Sequence, residues 1–442
     1  MSKSTFIGGI RPYEGKRLSK ERPIRDIAPK EFLTYPLSQH IGAPAREIVA
    51  VGDYVLTGQK IAEADGFMSV PIHASVSGYV KAIEPRKVVQ GNFVKSIIIE
   101  NDGLYDEIEY KKPKPYTEMT SAEIINLIKE AGIVGMGGAG FPAHVKLSPK
   151  DPNKIDYVIA NCCECEPYLT SDYRKMLEEP EKLIEGMRII LRLFPSAHGI
   201  FAVEDNKKDC IRKLRQLTRS EIGMSVRVLH TKYPQGAERM LIYATTERKI
   251  NSSMLPADAG CIVHNVDTII AIRDAIIEGR PLYSRIVTVS GKAIRDPRNF
   301  RVRLGMNYED LVMRAGGFVK EPTKILSGGP MMGIQMYDLD VPVTKATSAL
   351  TCLTESCDQE MMNCINCGRC VEVCPERLNP KLLLDFAMNH DISKFIEYGG
   401  IECFECGCCS YKCPSKRHLT QGIKAMRKEA IALRKAEAGG KK

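Results

Sequence analysis

No tryptophan occurs among the 442 residues, and aromatic side chains make up only 7%. A net charge of +9 invites a nucleic-acid reading, but aromatics are sparse and no RNA- or DNA-binding motif appears, which argues against it. The positive excess reads instead as a basic surface facing an acidic protein or an anionic membrane. Long apolar runs are also missing: no window approaches the ~18 consecutive apolar residues of a membrane span. Residues Met1 to Lys16 carry Lys and Arg without an apolar stretch, so no signal peptide is expected. Nothing then points to secretion, and a reducing cytoplasm is the expected compartment for sixteen cysteines. The apolar fraction is ordinary, which favours a packed core over disorder, and the length is a prior for about three domains.

The cysteines carry the strongest signal. One run reads Cys364-x2-Cys367-x2-Cys370-x3-Cys374-Pro375, and a second reads Cys403-x2-Cys406-x2-Cys409-x3-Cys413-Pro414. Each has the spacing of a bacterial ferredoxin run, and two runs imply two [4Fe–4S] clusters. Three thiolates come from one tight loop, while the fourth lies beyond the loop and ligates the other cluster. Cluster 1 is therefore assigned to Cys364, Cys367, Cys370 and Cys413, and cluster 2 to Cys403, Cys406, Cys409 and Cys374. Zinc sites usually use two paired units rather than a triple-then-single run. Cys408 is read as a spare beside Cys409. Pro380 to Glu397 reads as a helical stretch that returns the chain between the runs.

Residues 1–103 comprise an N-terminal segment and short strands with Gly turns. Val51-Gly52-Asp53-Tyr54-Val55-Leu56-Thr57-Gly58 and Ala74-Ser75-Val76-Ser77-Gly78-Tyr79-Val80 resemble the barrel-sandwich of biotinyl and lipoyl carriers. The hairpin tip from Ala64 to Pro71 holds no acceptor Lys, so a structural or docking role is expected there. A polar linker follows, Asn101 to Pro115. Residues 116–283 alternate strands (155–160, 199–203, 225–229) with helices (121–131, 181–193, 208–218), the pattern of an α/β layered sheet. Residues 284–345 suggest a small β-grasp module, 355–419 the two-cluster domain, and 420–442 a basic helix. Along that helix Ile423, Met426, Ala430 and Leu433 share one face. The fold class is thus multidomain α/β: a β barrel-sandwich, a central α/β domain, a β-grasp module and a ferredoxin-like helical domain.

Gly135-Met136-Gly137-Gly138-Ala139-Gly140 satisfies GxGxxG, and Asp156 lies about 20 residues on. A Rossmann loop follows a strand and opens a helix. This one follows a helix ending near Gly132, so a standard Rossmann site is not expected. The loop, continued through Phe141-Pro142-Ala143-His144-Val145-Lys146, resembles the flavin loop of the NADH-oxidising flavoprotein subunit of respiratory complex I. Three further segments match that family in order: Asn161-Cys162-Cys163-Glu164-Cys165-Glu166-Pro167, Tyr233-Pro234-Gln235-Gly236-Ala237-Glu238, and His264-Asn265-Val266-Asp267-Thr268. The resemblance implies FMN held non-covalently. Gly135, Gly137 and Lys146 would approach its phosphate and ring system, and Asn161 and Glu164 would line the flavin. Gly236, Asn265 and Thr268 would lie near the phosphate and ribityl chain. Phe141, Glu166 and Glu238 would contact the nicotinamide nucleotide, NAD(H) being the substrate. Three positions depart from the family: Met136 replaces an Arg, Cys163 an Asp and His264 an Asn. Cys162, Cys163 and Cys165 offer an alternative metal set, disfavoured because adjacent thiols point apart.

The order barrel-sandwich, flavin domain, β-grasp, two-cluster module is similar, over nearly the whole chain, to the C subunits of Rnf membrane complexes. Thr5-Phe6-Ile7-Gly8-Gly9-Ile10-Arg11-Pro12 also resembles the start of those subunits, which commonly have His where Arg11 stands. The resemblance implies an NADH-dependent oxidoreductase subunit, peripheral on the cytoplasmic face of the membrane, within a ferredoxin:NAD+ oxidoreductase that moves Na+ or H+. Its implied partners are the other Rnf subunits and ferredoxin. No acid–base residue is expected at the hydride step. A cobalamin-reductase-like flavoprotein is an alternative that domain order disfavours. Another is a non-catalytic electron conduit.

Overall fold

The computed structural model describes residues 4–355 and 360–439. The ends of the expected first and last segments, and residues 356–359 near the start of the two-cluster domain, lie outside the described residues.

The central domain is a four-stranded sheet in which every pairing is parallel. Its order is 224–229, 198–204, 157–162, 261–265. Parallel strands need crossovers that cover both faces, which is why these strands read as apolar runs. On one face Val158, Ala160 and Phe201 pack with Leu183, Ile190, Leu214 and Ile269 of the helices 180–193, 208–217 and 266–278. On the other, Ile159, Ile200 and Ala202 meet Leu241 and Ile242 of the helix Glu238–Thr246. Ahead of the sheet, Ser121–Glu130 is a helix closed by a capping box between Thr120 and Glu123. The glycine loop follows it, as the sequence implied.

The N-terminal barrel-sandwich has two small sheets, one ordered 32–36, 93–101, 78–87, 54–55 and the other 46–47, 60–63, 72–73. Its hairpin tip docks on the central domain: the His144 ring Nε2 lies 2.9 Å from Phe67 O. The β-grasp sheet has six strands and differs from the expected boundary. It runs past residue 345 to the buried strand Ala349–Leu353, and it adds Arg25–Asp26 from the N-terminal segment as an edge strand. A fully buried Lys345 joins three modules, donating to Pro71 O at 2.6 Å and Gly132 O at 2.7 Å. Burial pushes its amine down to about 7.

The expected helix Pro380–Glu397 is two helices, Pro380–Met388 and Ile392–Glu397. His390 adopts φ 52°, and Asp391 caps the second helix at Lys394 N, so the break is built into the sequence between them. The last helix, Leu419–Gly439, packs Ile423, Met426 and Ala430 against Leu383, Phe395 and Ile401. Leu433, the fourth residue of the expected face, is exposed. No helix of the described residues is long and apolar enough to cross a membrane.

Candidate functional site

The eight run cysteines separate into two hollows. Cys364, Cys367, Cys370 and Cys413 line one, with Asn366, Lys381 and Arg417. Cys374, Cys403, Cys406 and Cys409 line the other, with Cys408, Pro375, Leu378 and Ile423. The first hollow holds the set expected from spacing alone; the second holds the expected set together with Cys408, which spacing read as a spare. The runs fold alike: Asn366 and Gly368 in the first, and Glu405 and Gly407 in the second, have positive φ, followed by short helices at 369–372 and 408–412. Those left-handed turns bend each loop around its hollow. Among the described residues no group of three or more His, Cys, Asp or Glu is close enough for a single metal ion. The four expected thiols at each hollow fit a cubane cluster, whose ligands stand further apart. Backbone amides of Asn366, Leu378 and Glu405 donate to Cys364, Cys374 and Cys403 Sγ at 3.3–3.4 Å. Such bonds stabilise thiolate charge and tune potential.

The glycine loop is pinned at its base, Gly135 N to Phe141 O at 2.7 Å and Ala143 N to Ile133 O at 3.0 Å, leaving Gly137 to Ala139 exposed. It lies at the carboxyl ends of the parallel strands, where open α/β sheets bind ligands. Asn161 and Asn265 pair across neighbouring strands there. Asn161 Nδ2 donates to Gly236 O at 2.8 Å. Asn265 caps the helix Val266–Glu278 through Asp267 N, and a Cβ on Gly137 would fall 2.9 Å from it. Thr268 Oγ1 accepts from Met136 N at 2.9 Å and so ties the loop to that helix. Lys146 Nζ pairs with Glu238 Oε1 at 2.7 Å and donates to Val263 O at 3.1 Å. Gly135, Gly137, Phe141, Lys146, Asn161, Gly236, Glu238, Asn265 and Thr268 therefore belong to one neighbourhood.

Two expected residues face elsewhere. The Glu164 carboxylate accepts from Asp172 N at 2.8 Å and Tyr173 N at 3.3 Å, closing the helix Ser171–Glu178. Glu166 Oε1 accepts from Met331 N at 2.6 Å and Met332 N at 3.2 Å in the β-grasp module. The three departures are also placed. Met136 is buried, and the Arg285 guanidinium donates to its carbonyl at 3.1 Å, so the cation at this point comes from the next module. Cys163 faces the opposite core layer from Cys162, so these thiols do point apart. Burial pushes the His264 imidazole down to about 3, which keeps it neutral.

Sequence reasoning missed Arg285, Asp172 and Gln235. Asp172 Oδ2 accepts from Asn265 Nδ2 at 2.6 Å. Burial, with Glu164 and Asp267 nearby, lifts its carboxyl to about 8. Gln235 is fully buried beside Gly236, and neither its Oε1 nor its Nε2 has a partner among the described residues; the same holds for His264 Nε2. Buried amides without partners are costly. Their presence beside a loop with room for a ligand fits a site built around a polar molecule such as a flavin.

The two sites touch. Tyr233, in the turn that carries Gly236, donates from its hydroxyl to Cys406 O at 2.8 Å. Arg239 donates to Glu376 Oε1 at 3.2 Å and Glu402 Oε2 at 3.0 Å, docking the helix Glu238–Thr246 on the end of the first cysteine run and the start of the second. Fold and sites together define an iron–sulfur flavoprotein.

Family comparisons narrow that class. Residues 4–104 match the RnfC Barrel sandwich hybrid domain, 128–274 the Nuo51 FMN-binding domain, 286–335 the SLBB domain and 363–418 the 4Fe-4S dicluster domain. The chain is 43% identical over 436 residues to the C subunit of the Na(+)-translocating ferredoxin:NAD(+) oxidoreductase complex of Acetobacterium woodii, covering 98% of each chain. It is 44% identical over 387 residues to the proton-translocating counterpart of Clostridium ljungdahlii, covering 86% of this chain and 83% of that one. The C subunit of an ion-translocating oxidoreductase complex of Haemophilus influenzae is 36% identical over 89% of this chain and 48% of its own. The chain belongs to the family of Rnf complex C subunits.

Proposed function

We propose that the chain is the NAD(H)-reactive subunit of a membrane-bound Rnf-type ferredoxin:NAD+ oxidoreductase whose complex translocates Na+ or H+. It sits peripherally, on the cytoplasmic face of the membrane, with the other Rnf subunits as partners and ferredoxin as the complex's electron partner. The observation that carries this is the shared turn Tyr233–Glu238: Gly236 packs on Asn161 at the loop site, while Tyr233 is bonded to a cluster ligand loop.

Bound FMN supplies the exchange between hydride pairs and single electrons, and two [4Fe–4S] clusters supply the single-electron relay. The chain's residues bind, orient and exclude water. Gly135 and Gly137 keep side chains out of the cradle, and Lys146 supplies a cation for the phosphate or ring. Asn161, Gly236, Asn265 and Thr268 fix the cradle's walls. Phe141 and Glu238 face the nicotinamide nucleotide. Glu164 and Glu166 act as the anchors described above, holding the cradle rather than entering it. No side chain is required as acid or base in hydride transfer. Cys374, Cys403, Cys406 and Cys409 would hold cluster 2 on the flavin side of the relay, because their loop meets the Tyr233 turn. Cys364, Cys367, Cys370 and Cys413 would hold cluster 1 on the partner side of the relay, since their hollow is lined entirely by residues 364–419 and Cys367 is exposed.

The test is an anaerobic NADH titration of the reconstituted chain, following flavin bleaching and reduced-cluster EPR signals together. Bleaching with cluster reduction is expected. Assembly of both clusters without FMN or NADH binding would favour a non-catalytic conduit.

A further inference from the structure

The N-terminal strap, Ser4 to Ile10, runs between the central domain and the second cluster. On the central-domain side, Ile10 and Tyr233 exchange backbone hydrogen bonds of 2.8 and 2.9 Å. Lys232 Nζ donates to Gly8 O at 3.0 Å and sits 3.7 Å from the centre of the Phe6 ring. On the other side, Gly9 N donates to Val373 O at 2.9 Å. Gly8 has φ +79°, and a Cβ there would stand 2.8 Å from Cys374 O. Gly9 has φ +81°, and its Cβ would stand 2.7 Å from Tyr233 O. Only glycine meets both demands, a left-handed backbone and no room for a side chain. Ile10 at the end of the strap forms one buried cluster with Tyr233, Val373 and Cys408.

The contacts are one-sided. Cys374 and Cys406, both ligands of cluster 2, are held by the strap or by its partner Tyr233. No backbone hydrogen bond among the described residues joins the strap to Cys364, Cys367, Cys370 or Cys413.

We infer that the strap is a positioning element for cluster 2: Gly8 and Gly9 let it close on the Cys374 peptide and so fix that ligand relative to the flavin-type domain. This deepens the proposed route, on which it rests, by assigning the spacing of its first transfer to residues outside both cofactor sites. Displacing the Cys374 peptide would also disturb the Leu378 N–H bond to Cys374 Sγ, and with it the potential of cluster 2 alone.

The experiment compares Gly8→Ala with Gly91→Ala in the full reconstituted chain. Gly91 also has positive φ, +86°, but nothing lies within 4 Å of its Cβ position. It reports backbone strain without the contact. A Cys367→Ser chain first assigns each EPR signal to its cluster. Gly8→Ala is expected to shift the midpoint potential or line shape of cluster 2. Flavin-to-cluster transfer in stopped flow should slow tenfold or more. FMN content and the cluster 1 signal should match Gly91→Ala. A cluster 2 signal and rate equal to those of Gly91→Ala would overturn the inference. Should Gly8→Ala not fold, Lys232→Met decides, because it removes the side-chain bonds to Phe6 O and Gly8 O that hold the strap in place; an unmoved cluster 2 signal again overturns it. If the unmodified chain failed to bleach with NADH, the proposed function would fall, while the cluster 2 spectrum would still judge the strap.

Discussion

Asn161 and Asn265 stand opposite each other at the carboxyl ends of adjacent parallel strands, and each turns its side chain to hold a different wall of the same cradle. Asn265 does two jobs: its Oδ1 caps the helix Val266–Glu278, and its Nδ2 reaches Asp172. Asn265→Ala should therefore lower thermal stability by about 1 kcal/mol from the lost cap and weaken FMN retention. Asn265→Ser keeps a capping oxygen and loses the amide. It should recover most of the stability but not the FMN, measured as melting temperature and flavin content.

Gly137 and Gly138 are neighbours with different constraints. A Cβ on Gly137 meets Asn265 at 2.9 Å, whereas nothing lies within 4 Å of one on Gly138. Gly137→Ala is expected to reduce FMN content severalfold with both clusters intact. Gly138→Ala should leave the melting temperature within the scatter of a surface change, about 0.5 kcal/mol. Iron and flavin per chain, read on the same preparation, separate the two effects.

What could be read from the sequence was what is local. The cysteine runs specify their own loops, since spacing decides which thiols share a turn, and both hollows contain the expected sets. The parallel sheet followed from apolar runs alternating with amphipathic helices. Contacts between modules left no local mark. Arg285 reaches Met136 across two domains, and Glu166 ends on backbone amides of Met331 and Met332, where any residue type would serve. The strand Ala349–Leu353 was missed because a short apolar run after a loop has no period of its own. The break at His390 was legible in principle: Asn389-His390-Asp391 supplies a helix end and a new cap within three residues.

Asp172 gives the fold a pH dependence of defined sign. Its carboxyl is lifted to about 8 by burial and by Glu164 and Asp267, while an unfolded Asp titrates near 3.9. Between those values the folded chain holds a proton that the unfolded chain has released, so this group's contribution falls as pH rises from about 4 to about 8. Asp172→Asn removes that slope. The melting-temperature difference, variant minus parent, should grow more positive between pH 5 and pH 8, and a flat difference would contradict the assignment.

Cys408 and Cys409 are adjacent and both line the second hollow, but only Cys409 is one of the four expected ligands of cluster 2; Cys408 is also fully buried against Ile10, Tyr233 and Val373. Cys409→Ser should drop iron from about eight to about four per chain, since one of two clusters is lost. Cys408→Ala should keep about eight, with a modest loss of stability from the small cavity. The reverse result, about eight for Cys409→Ser and about four for Cys408→Ala, would show that the register of the second run is wrong by one residue.

Gln235 offers the sharpest separation between stability and binding. Its amide is buried beside Gly236 with neither polar atom partnered among the described residues, so in the ligand-free chain its desolvation is not offset. Leu has similar volume and no polar atoms. Gln235→Leu should therefore raise the melting temperature of the flavin-free chain. If the amide meets flavin or nucleotide when either binds, the same change should weaken that binding by about 1–3 kcal/mol, tenfold or more in Kd. Flavin fluorescence quenching on the apo-chain and NADH-dependent bleaching on the loaded one measure the two ligands separately. A variant that is more stable and binds both as tightly as the parent would mark Gln235 as a structural defect rather than a ligand contact.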